Sequence, residues 1–247
     1  MYNRFSERRK SLIVAIVAFA ALLAPFSSSA FLPSIPQICD DLHTTPTILN
    51  ATVAIYIFVI GVVPLLWAPY AGLYGRRPIY LVSLPIYTLG SLGVALSNSL
   101  AALIITRIIQ GAGSSAVLSV GAGTIGDLYP RHRRGAAMGY FYSGILIGPA
   151  LAPAIAGVLS EYVRPLGSGW RAMQWLLFAM GVVACVLCAV CFPETSHKRG
   201  IEVLREERRE RGEMEGGGWV RRVWRDTVFL NPVGSVLLLR QPHILAV

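Results

Sequence analysis

Apolar residues along this chain fall into six long runs, at 11–31, 48–74, 78–97, 108–126, 135–160 and 172–193, and none of them contains Asp, Glu, Lys or Arg. A helix rises 1.5 Å per residue, so about 20 apolar residues cross a hydrocarbon core of about 30 Å. The fourth run starts near Leu100, after the polar turn Ser97-Asn98-Ser99, and therefore includes one charge, Arg107. Within lipid a single helix satisfies its own backbone groups, whereas open sheets and loops do not. The predicted fold class is therefore an all-α membrane protein, a bundle of six transmembrane helices.

Loop charge orients the bundle. Arg4, Arg8, Arg9 and Lys10 precede the first run, Arg76 and Arg77 separate the second from the third, and Arg131, Arg133 and Arg134 separate the fourth from the fifth. The alternate connections hold only Arg164 and Arg171, beside Asp40, Asp41 and Glu161. Short loops rich in Lys and Arg stay on the cytoplasmic side, so both termini are expected there. Hydrophobic residues make up 54% and charged residues 14% of the chain, which excludes an ordinary soluble domain. The net charge of +9 is accounted for by this sidedness and a basic tail rather than by a nucleic-acid footprint. The first run imitates a signal peptide at Ser28-Ser29-Ala30, but its apolar core is longer than such signals use, and a retained helix is expected. Cys185, Cys188 and Cys191 recur at three-residue steps without His or acidic neighbours in their run, a packing pattern rather than a metal site. The four histidines lie in loops or the tail, so no nucleophile and base pair points to an enzyme.

Three segments carry specific chemistry. Between the second and third runs lies a tight turn at Gly75-Arg76-Arg77-Pro78, where the guanidinium pair can hold carboxylates or helix C-termini, or simply keep the loop inside. In the fourth run Arg107, Gln110, Gly111 and Ser114 share one helical face, a polar and small stripe suited to a bundle interior or a wet cavity. An arginine at depth is a functional candidate by default, although from about 12 Å its side chain can also snorkel outward. The fifth run holds Gly144, Gly148, Pro149, Pro153 and Gly157, whose small residues permit close helix contact and whose prolines remove donors. Tight packing and a gating hinge both remain open for it.

In this order, the loop after the second run, the Arg107-Ile108-Ile109-Gln110-Gly111 stretch and the Gly144 to Pro149 stretch resemble the major facilitator superfamily. The closer resemblance is to its fungal drug:proton antiporters of the quinidine-resistance type, through Phe31-Leu32-Pro33, Gly169-Trp170-Arg171 and Pro193-Glu194-Thr195. The resemblance implies two inverted three-helix repeats forming the N-terminal half of a carrier, with a cavity against a second six-helix half and alternating access by rocking. It also implies roles. Arg107, Gln110, Gly111 and Ser114 would serve proton coupling and the cavity; Gly75, Arg76, Arg77, Asp127, Arg134 and Gly135 would form an inner gate. Gly144, Gly148, Pro149, Pro153 and Gly157 would form the antiporter hinge. Gly72 stands where the family loop has an acid, and Ala152 and Ala156 replace glycines of the fifth-run pattern.

The expected organisation is a cytoplasmic N-terminus at 1–10, a transmembrane domain at 11–193 and a cytoplasmic basic tail at 194–247. Within the tail a short charged helix is expected at 201–211, broken by Gly216-Gly217-Gly218. A headgroup-zone stretch from Trp219 to Arg225 follows, and then the approach to a seventh span that is missing. The function expected is proton-coupled export of drugs or organic cations from the plasma membrane, here as a truncated half. The alternative is a non-transporting six-span interaction partner or inactive fragment of a full-length carrier. Expected partners are the lipid bilayer, a small-molecule or cationic substrate, protons, and the missing C-terminal half or a full-length relative. No cofactor, metal or nucleic acid is expected.

Overall fold

A computed structural model of the chain describes residues 5–162 and 169–195. The first span runs through α1 (Glu7–Phe31), a 3-10 turn at Leu32–Ser34, and α2 (Ile35–Leu42). The second comprises α3 (Pro46–Val62) and α4 (Pro64–Tyr74), and the third is α5 (Arg76–Ala95). The fourth to sixth are α6 (Leu100–Leu128), α7 (Arg134–Tyr162) and α8 (Gly169–Cys191). All six are long and apolar enough to cross a bilayer, and the described residues contain no strand.

Local chemistry explains most boundaries. Pro33 and Pro36 lack backbone N–H groups, so span one tightens into the 3-10 turn before α2. His43, left-handed at φ 48°, ends α2. Pro64 interrupts the hydrogen-bond ladder of span two without ending the span. The Ser99 hydroxyl accepts from the Ala102 N–H at 3.3 Å and starts α6 where the polar turn predicted. Helix α1 begins at Glu7, four residues ahead of the charge-free run, where Lys10 pairs with Glu7 at 2.8 Å and lies buried.

Helix α1 packs on α7, α6 lies between α5 and the α3–α4 pair, and α5 also packs on α8. Exchanging spans one, two and three with four, five and six maps this arrangement onto itself: the α1–α7 contact becomes the contact of α6 with α3 and α4. The α5–α8 contact maps to itself. That is the pattern two three-helix repeats produce. Backbones of α5 and α6 approach closely. A Cβ on Gly90 would lie 2.5 Å from the Gln110 nitrogen, and one on Gly113 would strike the backbone of Tyr87. This contact aligns the polar residues of the two helices. Large apolar side chains such as Phe58, Leu65, Leu146 and Val190 point outward, as a lipid-facing surface requires.

Candidate functional site

The polar stripe of α6 faces inward. Arg107 is fully buried, which disposes of the snorkelling alternative for this residue. Its Nη1 donates to Gln110 Oε1 at 2.9 Å and to the Ser27 carbonyl at 3.3 Å, and its guanidinium lies 4.0 Å from the Phe31 ring centre and 4.7 Å from that of Tyr56. Gln110 Nε2 donates to Ser91 Oγ at 2.9 Å, while Ser27 and Tyr87 share a hydrogen bond between hydroxyls at 2.8 Å. Tyr56 donates to the Ala24 carbonyl at 3.1 Å and meets Ser114 Oγ at 3.4 Å. Gly111 leaves room for Tyr56 and Val59; a Cβ there would approach both at 3.1 to 3.2 Å. The four predicted stripe residues thus join one network, and spans one, two and three supply the rest.

A second cluster occupies the end of the bundle where Gly75 turns. Arg76 Nε donates to Asp127 Oδ2 at 3.1 Å, and the backbone N–H groups of Arg76 and Arg77 donate to the Glu194 carboxylate at 2.9 and 3.3 Å. Glu194 therefore caps the N-terminus of α5 from across the bundle, where Gly75 has no side chain to do so. Arg77 Nη2 donates to the Ala189 carbonyl at 2.9 Å, near the C-terminus of α8, and Arg134 Nη2 to the Gly126 carbonyl at 2.7 Å, near that of α6. Both expected uses of the guanidinium pair occur together: one holds a carboxylate, the other a helix end. Asp127 and Glu194 supply the acid that Gly72 does not. A Cβ on Gly135 would meet nothing within 4 Å, so Gly135 adjoins this cluster without packing into it.

Along α7, Gly144 and Gly148 face α1. A Cβ on Gly144 would sit 2.8 Å from the Ala18 carbonyl, and one on Gly148 3.1 Å from the Phe26 nitrogen. Ala152 and Ala156 continue the buried stripe, so alanine is small enough where the family pattern has glycine. Pro149 points outward and Pro153 is half-buried, while the Gly157 position is open. At the opposite end of the bundle from Gly75, buried Trp170 donates to Asp41 Oδ2 at 2.7 Å, and Arg171 Nη2 donates to the Ser97 carbonyl and Asn98 Oδ1 at 3.1 and 3.0 Å.

Ser27, Tyr56, Tyr87 and Ser91 escaped the sequence reading; they sit inside apolar runs, and their one visible signal was a hydroxyl in aliphatic surroundings, while Phe31 was noted only as part of the Phe31-Leu32-Pro33 stretch. Arg164 and the tail features at 201–211, 216–218, 219–225 and beyond lie outside the described residues.

A six-span helical bundle built from exchangeable three-helix units, with a buried cation between its helices and an ion-paired turn at one end, has the architecture of half a membrane carrier. The chain matches the Major Facilitator Superfamily over residues 17–245 and belongs to it. It is 44% identical over 191 residues to the MFS antiporter QDR3 of Candida albicans, covering 77% of this chain and 27% of that protein. With quinidine resistance protein 3 of Saccharomyces cerevisiae it shares 32% identity over 216 residues, 83% of this chain and 31% of the other. The chain thus spans less than a third of these two relatives. Its fold is similar to that of the partially occluded, inward-open xylose transporter XylE from E. coli, with a TM-score of 0.67 at 15% identity, covering 82% of this chain and 55% of that one.

Proposed function

We propose that this chain is the N-terminal half of a proton-coupled exporter of drugs or organic cations. In this reading it lies in the plasma membrane with both termini in the cytoplasm. The 44% identity to an MFS antiporter carries the reading, and the name quinidine resistance protein 3 of a second relative supports the cargo class. The buried stripe of Arg107, Gln110, Gly111 and Ser114 takes part in coupling from inside this half, behind the wall of the cavity. The Gly75 to Arg77 turn, with Asp127, Arg134 and Glu194, steadies the inner side, and the α1–α7 seam at Gly144 and Gly148 controls closure of the outer side. A second six-helix half completes the passage, and rocking of the halves gives alternating access. Positions 8–39 and 42–126 contain no Asp or Glu, so a carboxylate that releases the proton beside Arg107 has to come from elsewhere.

The test is drug efflux from fungal cells lacking their own exporters, given this chain continued to twelve spans. Export that collapses with a proton uncoupler and with Arg107→Ala supports the reading; unchanged drug retention by the unaltered protein refutes it. Orientation is tested by single cysteines at positions 77 and 133, which an impermeant thiol reagent outside intact cells should leave unmodified.

A further inference from the structure

Arg107 is one negative charge short. Its side chain is 0% exposed, and both hydrogen bonds it makes leave from Nη1, to a carbonyl and to an amide oxygen. Its Nε and Nη2 atoms have no hydrogen-bond partner. The helices around it, α1, α3, α5 and α6, carry no Asp or Glu between positions 8 and 126 other than Asp40 and Asp41, which lie in α2 at the Trp170 end of the bundle. Buried cations are ordinarily paired, and an unpaired charged donor is costly in a low dielectric. Arg77, Arg134 and Arg171 also leave a buried Nε without a hydrogen-bond partner, but each holds a carbonyl beside a helix end, and Arg76 has Asp127; among the described residues Arg107 alone leaves both Nε and Nη2 open.

The two open donors lie on one edge of the guanidinium, the Nε and Nη2 fork that matches the two oxygens of a carboxylate. Gln110 keeps the opposite side engaged and is itself held by Ser91, which fixes the edge in place. Phe31 and Tyr56 cover the guanidinium, so the surroundings of the fork are aromatic rather than aqueous. Phe31 is the last residue of α1, at the break into the 3-10 turn, the least regular part of span one. We propose that the Nε and Nη2 edge of Arg107 is the receptor for a carboxylate carried by a small solute with an aromatic or apolar body. This adds an anionic or zwitterionic class to the ligands of the bundle and goes beyond the cationic cargo named above. A bound carboxylate also brings to Arg107 the acidic group that positions 8–39 and 42–126 lack.

The test is equilibrium binding of radiolabelled benzoate to the purified chain in mild detergent at constant chloride. Benzamide, the neutral isostere, serves as competitor. Saturable benzoate binding that benzamide competes for at least tenfold more weakly is expected. Arg107→Lys, which keeps the charge but loses the fork, should weaken benzoate by about tenfold or more. Equal competition by benzamide, unchanged affinity in Arg107→Lys, or absence of saturable binding to the unaltered chain overturns the proposal. The comparison of benzoate with benzamide needs no variant, so a misfolded Arg107→Lys leaves the question decidable. Failure here leaves the efflux test of drug export untouched, and failure of efflux leaves this binding measurement unaffected.

Discussion

Gly75→Ala should unsettle the turn end of the bundle through two separable effects. Gly75 has φ 97° and ψ 174°, a conformation open essentially to glycine alone, and holding another residue there costs about 2 kcal/mol. The new Cβ would also lie 2.5 Å from Glu194 Oε2, so the carboxylate must leave the N–H groups of Arg76 and Arg77. Losing a helix N-terminal cap costs about 1 kcal/mol. Gly75→Ala alone should therefore destabilise by about 3 kcal/mol, the sum of strain and lost cap. Glu194→Ala alone loses only the cap, about 1 kcal/mol. With the carboxylate already gone, the double variant should cost about 3 rather than 4 kcal/mol, a coupling of about 1 kcal/mol between contacting positions. Denaturant unfolding in mild detergent reads all three, followed by reaction of a thiol dye with the free cysteines of α8, of which Cys188 is buried in the folded chain. Strict additivity would refute the argument, since it would mean that Glu194 does not sit against Gly75.

Replacing Arg107 by Met should raise the stability of the chain by about 1 kcal/mol in the same assay, because a buried unpaired charge is exchanged for an apolar side chain of similar length; a loss of stability would mean that Gln110, Ser27 and the two rings already compensate the charge. Gly144→Ala should cost about 1 to 3 kcal/mol by forcing α7 away from the Ala18 carbonyl. Gly157→Ala, whose Cβ enters open space, should be neutral or stabilising by up to about 1 kcal/mol; equal losses at both sites would remove the close seam from the explanation. Trp170→Phe keeps the ring but deletes the donor to Asp41, and should cost about 1.5 kcal/mol while exposing the α2 segment to limited proteolysis.

Much of this architecture was written in short-range pattern. The runs without charge marked the spans, Ser99 marked the start of α6, and spacings of three and four put Arg107, Gln110, Gly111 and Ser114 on one face. What that face meets was not legible, because partners come from helices chosen by packing. Ser27 lies 80 positions from Arg107, and Ser91 is 19 from Gln110 across the close α5–α6 contact. The partners of the Gly75 turn illustrate the same limit. A search confined to one loop finds no acid for Arg76 or Arg77, yet Asp127 arrives from 51 residues away and Glu194 from 118.

Arg107 stands apart from the other arginines of the bundle. A cation at the end of a span needs no special purpose, since carboxylates and helix C-terminal carbonyls collect there and water is near; Arg76, Arg77, Arg134 and Arg171 all find such partners. A cation buried between helices has only what its neighbours offer, and these offer two neutral oxygens and two ring faces. Packing alone would be served as well by leucine, and topology by an arginine in a loop. The side chain that neither requirement explains is the one whose open donors await a ligand, and the benzoate measurement bears directly on it.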